Sequence, residues 1–171
     1  MGSEAQGAAA TAGRWLTINR TLVLITQGDS LLLMRRALTR RVFPGYYNGI
    51  GGHLERDEDP VVCALRETRE ETGLNVHNMR LRGVTNIDAG GATGILLFIF
   101  TAEADTRETT PCDEGELVWV PLDQVDGLKL VEDLPLILPR LFGPAASDAP
   151  FFAHVGYDST DHMIIRFAEG P

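Results

Sequence analysis

The sequence is poor in cysteine and in positive charge, and nowhere does it run apolar for the length a membrane-spanning helix needs. Its two cysteines, Cys63 and Cys112, have neither metal-site nor redox spacing, which points to a reducing compartment and a cytoplasmic protein. His53, His77, His154 and His162 show no zinc-ligand spacing. Basic residues number 15 against 24 acidic ones, for a net charge of -9. That balance argues against a nucleic-acid polymer as the main partner, because phosphate backbones are held by clustered Lys and Arg. A small anionic substrate remains compatible if basic residues are local and a metal bridges the carboxylates. There is no internal repeat. The opening MGSEAQGAAATAG has no signal-peptide core, so residues 1–14 are expected to form a disordered tail.

What is present suffices for one domain. At 44% hydrophobic and 23% charged over 171 residues, the chain can bury a full core without disulfides. Its organising stretch is GGHLERDEDPVVCALRETREETGL, from Gly51 to Leu74. Asp59 is a good N-cap, Pro60 suits the first helical position, and Gly73 suits a left-handed residue past the end, so a helix is expected from Pro60 to Thr72. Glu67, Glu70 and Glu71 then share one face, while Val61, Leu65, Thr68 and Thr72 form a second, core-facing stripe. Like charges at ~5 to 6 Å repel by ~3 kcal/mol at an effective dielectric of ~20, so a shielded cluster of this kind calls for a cation. Hard carboxylate oxygens favour Mg²⁺ or Mn²⁺.

Counted from Gly52, five residues lead to Glu58, seven more to Arg66-Glu67, then come Glu70-Glu71 and Gly73-Leu74. This spacing resembles the Nudix hydrolase box, G-x5-E-x7-R-E-U-x-E-E-x-G-U with U a bulky apolar residue, and departs from it only at Thr68, which keeps the β-branched shape of valine. The resemblance covers residues 20 to 142. It implies an α/β (α+β) fold, an α/β/α sandwich with a mixed β-sheet between helices, and Mg²⁺-dependent hydrolysis of a nucleoside diphosphate derivative. It further implies that Glu67, Glu70, Glu71 and the Gly51 carbonyl hold metal. Arg66 would orient the glutamates with Glu58 as its ion-pair partner, and Gly52 and Gly73 would shape the motif.

Other residues carry the substrate reading. Arg35-Arg36 and Arg40-Arg41 form the one dense basic patch, either an ordinary solvated turn or, through Arg36, a seat for phosphates. The run YNGIGG resembles the WNGFGG of the MutT-like branch that hydrolyses oxidised purine nucleotides. Tyr47 and Asn48 are therefore pocket candidates, with Asn48 either reading a purine edge or capping a turn; His53 departs from that branch, which has lysine there. The resemblance also implies a metal-binding or water-activating glutamate from the loop before Trp119, for which Glu114 is the candidate, with Glu116 and Glu67 as alternatives. Glu132 and Asp133 are either helix N-terminal acids that complement the macrodipole or, as the resemblance to the MutT-like branch implies, an acidic pair that recognises the base. The favoured substrate is a purine nucleoside triphosphate, oxidised or not, cleaved to the monophosphate and pyrophosphate. ADP-ribose or dinucleoside polyphosphate hydrolysis, or a non-catalytic nucleotide-binding domain, stands as the alternative.

Thr21–Thr26 and Ser30–Met34 read as strands about a Gln27-Gly28-Asp29 turn, Met79–Val84 and Gly94–Phe100 as further strands, and Leu134–Phe142 as a helix. The catalytic domain is assigned to residues 15–144. Residues 145–171 read as a β-hairpin extension that packs on the domain or on a second subunit, which leaves a homodimer open.

Overall fold

Alternation along the first two strands explains how one sheet comes to lie between two helices. The computed structural model describes residues 6–7, 11–144 and 146–168, so most of the expected N-terminal tail lies outside the described residues. In β1 (Leu16–Gln27) and β2 (Ser30–Arg36), Leu22, Leu24, Leu31 and Leu33 join one apolar cluster while Val23, Ile25, Leu32 and Met34 join another. Successive side chains point to opposite faces, so an unbroken apolar run requires both faces to be covered. Both are.

The remaining elements are β3 (Tyr47–Asn48), α1 (Pro60–Thr72), β4 (Val76–Ile87), β5 (Thr93–Ala104), β6 (Gly115–Pro121), α2 (Leu134–Phe142), β7 (Phe151–Tyr157) and β8 (Met163–Phe167). They form an eight-stranded sheet in the order β3-β2-β1-β5-β4-β7-β8, with β6 paired to β2. The β1–β5 and β4–β7 pairs are parallel and the others antiparallel, so the sheet is mixed as expected. Leu134, Ile137, Leu138 and Leu141 of α2 cover the first cluster. Ala64 of α1, with Ile50 and Leu74 beside it, covers the second.

The sheet splits where the site will form. β1 and β2 pair only through Ile25–Gln27 and Ser30–Leu32. The gap that opens beyond is filled by residues 47–54, which reach β2 through Met34–Asn48 and β1 through Val23–Ile50 and Arg20–His53. The glycine turn is thereby held against β1, with the Thr21 N–H donating to the Gly52 carbonyl at 2.9 Å.

Helix α1 has the expected bounds because its caps work as read. The Asp59 carboxylate accepts from the Val61 and Val62 N–H groups at 2.7 and 3.0 Å, and Gly73 sits at φ 74° with its N–H on the Arg69 carbonyl. Its roll differs from the expectation. Thr68 and Thr72 are buried, but Val61 and Leu65 are exposed, and the covered line runs through Cys63, Ala64, Thr68 and Glu71. Helix α1 must seat its acidic stripe against the glycine turn as well as cover the sheet, and the roll that buries Glu71 leaves Val61 and Leu65 in solvent.

Strands β4 and β5 extend beyond the expected Met79–Val84 and Gly94–Phe100. The C-terminal hairpin adds to the sheet of its own chain, β7 running parallel to β4 from Gly83–Phe151 to Ile87–Val155. Its turn is closed by Asp158, whose carboxylate accepts from the Thr160 and His162 N–H groups.

Candidate active site

A cleft of about 630 Å³ opens where the sheet splits, bounded by the glycine turn, the acidic flank of α1, the start of α2 and the C-terminal hairpin. Glu67, Glu71 and Glu114 line it together with Gly51 and Gly52, and so do Arg20, Arg36, Asn48, Glu132, Asp133 and Tyr157. Ile87, Ile95, Leu97 and Val155 supply an apolar wall.

The glycine turn and α1 are in close contact. The Gly51 N–H donates to Glu71 Oε2 at 3.3 Å. A Cβ on Gly52 would fall 2.2 Å from Glu67 Oε1, and one on Gly51, at φ 150°, only 2.1 Å from the Thr21 carbonyl oxygen. Backbone excludes a side chain at Gly51, and one at Gly52 would displace the Glu67 carboxylate.

Arg66 organises the acids. Its Nε and Nη2 donate to the two oxygens of Glu58 at 3.0 and 2.7 Å, and its Nη1 donates to Glu67 at 2.9 Å and Glu70 at 3.1 Å. A further Nη2 bond at 3.1 Å ties it to the His53 carbonyl. A planar guanidinium has enough donors to hold all these partners at once, which a lysine lacks. Hydrogen bonding by Arg66, helped by the Glu55 N–H, holds the Glu58 carboxyl down at about 2. The same bonds, that of Glu58 first, raise the Arg66 guanidinium further above its ordinary range.

Glu71 is in the opposite situation. Burial, then the charges of Glu114 and Glu67, push its carboxyl up to about 8, against the lowering effects of the Gly51 N–H and Arg36. Among the described residues no three His, Cys, Asp or Glu side chains converge into a preformed metal cluster. Glu70 in particular is largely exposed, points to Arg66 and does not line the cleft. Glu67, Glu71 and Glu114 are brought together, whereas Glu70 is not.

Of the two loop glutamates, Glu114 lines the cleft and pairs with Arg40 at 2.9 Å, whereas Glu116 pairs with Arg35 at 3.8 Å outside it. Arg36 lines the cleft and donates from Nε to the Val42 carbonyl at 2.9 Å. Asn48 lines the cleft too, and its Oδ1 accepts from the Gly49 N–H at 2.9 Å. Its side chain thus closes a local turn with its oxygen, and its amide nitrogen has no partner among the described residues. Tyr47 is not brought to the cleft. It packs into the apolar cluster under α2, because neighbouring strand residues face opposite sides of the sheet.

Glu132 and Asp133 line the cleft at the start of α2. Burial first, and then Glu132, raise the Asp133 carboxyl above its ordinary value. Tyr157 stands near both acids, and its hydroxyl is raised by burial and by their charge.

Arg20, Tyr157 and Met163 line the cleft without having been singled out from the sequence. For Arg20 a signal existed: it is in register with Leu22 and Leu24 on one face of β1. Tyr157 and Met163 had none, because their position depends on β7 pairing with β4, seventy residues away in sequence.

The NUDIX domain family profile matches residues 16–141. The chain is 33% identical to the NAD-capped RNA hydrolase NudC of Pseudomonas aeruginosa over 63% of its own length and 37% of that protein. It is 30% identical to the m7GpppN-mRNA hydrolase NUDT17 of Danio rerio, over 78% of this chain and 53% of the relative. The oxidized purine nucleoside triphosphate hydrolase of Mus musculus is 31% identical, over 70% of this chain and 79% of its own length. The chain thus spans between about a third and a half of the first two relatives. Among solved structures, the mutator MutT protein from Bacillus halodurans superposes with a TM-score of 0.74 at 26% identity, covering 90% of this chain and 99% of that one.

Proposed function

The chain belongs to the Nudix family, and from that premise we propose that it hydrolyses the diphosphate linkage of a small nucleotide, a purine nucleoside triphosphate in first place, releasing the monophosphate and pyrophosphate. The observation that carries the reading is the pairing of two sets of side chains in one cleft. Glu67, Glu71, Glu114 and Arg36 line it, and so do Asn48, Glu132 and Asp133 with an apolar wall. The first set suits phosphates and the second a heterocycle with polar edges.

The donor chemistry fits a divalent metal, Mg²⁺ or Mn²⁺. Carboxylate oxygens of Glu67 and Glu71 face the cleft, and Glu71 is so placed that it needs either a proton or a cation. Glu67 and Glu71, with the Gly51 carbonyl completing the set, would hold the ion, which supplies charge neutralisation on the diphosphate, while Glu70 stays with Arg66 outside the cleft. Glu114 or Glu67 takes the proton of the attacking water. Arg66 does not touch substrate in this scheme; it positions Glu67 and Glu70 while Glu58 anchors it. Arg36 binds phosphate oxygens. The Asn48 amide nitrogen and the Glu132–Asp133 pair offer a donor and acceptors to a purine edge.

Release of pyrophosphate from purine nucleoside triphosphates, measured with Mg²⁺ beside pyrimidine nucleotides, ADP-ribose and NAD-capped or methylguanosine-capped dinucleotides, tests this. Capped ends are the second reading, favoured by the names of two relatives. Asn48→Ala should raise KM for purine nucleotides by about 1 to 3 kcal/mol and leave pyrimidine nucleotides nearly unchanged. Equal losses across bases would make Asn48 a turn residue only.

A further inference from the structure

Three arginines line the cleft, and they differ in whether a carboxylate neutralises them. Arg40 is paired with Glu114. Arg20 and Arg36 both line the cleft, and neither forms an ion pair among the described residues. The Arg20 Nε is buried without a hydrogen-bond partner. Burial, and then the charge of Arg36, lower the Arg20 guanidinium from its ordinary value. Backbone contacts hold Arg20 there: its strand pairs with His53 on one side and with Leu97 of β5 on the other. Two guanidinium groups that line one cleft without an ion-pair partner add positive charge to it, and an orphaned buried donor adds a cost of its own. Such an arrangement is favourable when an anion sits between them.

Charge decides which anion. A bridging phosphate diester carries one negative charge, whereas a terminal phosphate monoester carries about 1.5 to 2 at pH 7 and offers three acceptor oxygens. We propose that Arg20 and Arg36 together seat a terminal phosphate monoester, so that the cleft selects nucleotides whose polyphosphate chain ends free over those in which it is capped by a second group. The inference rests on the reading of this cleft as a nucleotide diphosphatase and assigns Arg20 as the residue that sets substrate class within it.

Binding separates this from turnover. Titration calorimetry in EDTA, with dGTP and the γ-methyl ester of dGTP as the two probes, compares ligands that differ only in the charge and one oxygen of the terminal phosphate. The parent protein should bind dGTP about tenfold or more tighter than the ester, the range of a charge-assisted hydrogen bond. Arg20→Gln should reduce that preference to about threefold or less while its affinity for the ester stays near that of the parent, which also shows that the cleft is intact. Arg20→Lys should keep part of the preference. No preference in the parent, no binding of either probe, or equal loss of both in Arg20→Gln would overturn the proposal. If the preference is found and no pyrophosphate is released from any triphosphate, the functional reading fails and the assignment of Arg20 stands.

Discussion

Thr68 stands where the Nudix box asks for a bulky apolar residue, and burial turns that small departure into a measurable one. Its side chain is wholly buried and its hydroxyl has no partner among the described residues. Thr68→Val keeps the shape and removes the unpaired group, so it should stabilise the protein by about 1 kcal/mol in urea unfolding, with turnover unchanged. Glu71 gives a second test at this scale. Its folded carboxyl titrates near 8, whereas an unfolded glutamate titrates near about 4.3. Between those values the folded state holds a proton that the unfolded state has released, so in EDTA stability should fall as pH rises through that window. Glu71→Gln should flatten the slope and, at pH 8, melt at a higher temperature than the parent while losing at least about 10²-fold in turnover. A parent whose melting temperature is level from pH 5 to 8 would contradict the burial argument.

Contact between elements is most exposed to test at the glycine turn and α1, which come together with no room for a side chain. Gly52→Ala would place a methyl group on the Glu67 carboxylate. Helix α1 is fixed from the other direction by its Asp59 cap and by Ala64 in the core, so it does not slide away. The Glu67 side chain is the part that yields, and it also leaves Arg66 when it does. Gly52→Ala should therefore lose at least about 10²-fold in kcat with the circular dichroism spectrum unchanged. An active Gly52→Ala variant would mean that the Glu67 carboxylate has no fixed role.

Taken whole, the molecule closes its cleft with a segment from the far end of the chain. Val155, Tyr157 and Met163 line it, and β7 is bonded to β4 along five residue pairs. Removing residues from Pro150 onward should strip the β4 edge, expose Ile87 and Ile95, and leave a destabilised protein with a raised KM. Sedimentation measured beside stability decides the expectation of a second subunit, because a subunit contact predicts a change of mass on truncation and an internal wall predicts none. Unchanged stability, mass and activity would show that the hairpin serves neither role.

What the sequence determined by itself was local. Asp59, Pro60 and Gly73 act through bonds to residues within four positions, and alternation in β1 and β2 needs only the pleat, so the bounds of α1 and a sheet covered on both faces were legible in one dimension. The ion pair of Arg66 with Glu58, which the family resemblance implied, spans eight residues and joins the helix to the turn before its cap. The tertiary structure decided whatever depends on how elements roll and meet. The roll of α1 moved Val61 and Leu65 out of the core and Glu71 into it, because seating the acids on the glycine turn constrains the helix as strongly as its apolar residues do. The split between β1 and β2 turned Asn48 to the cleft and Tyr47 away from it. Pairing between β4 and β7 brought Tyr157 into the cleft that Asp133 lines, and the register of β1 with β5 and the glycine turn brought Arg20 into the cleft that Arg36 lines. Those neighbours lie far apart in the chain, and no spacing rule reaches them, since only the packed sheet fixes which strands touch.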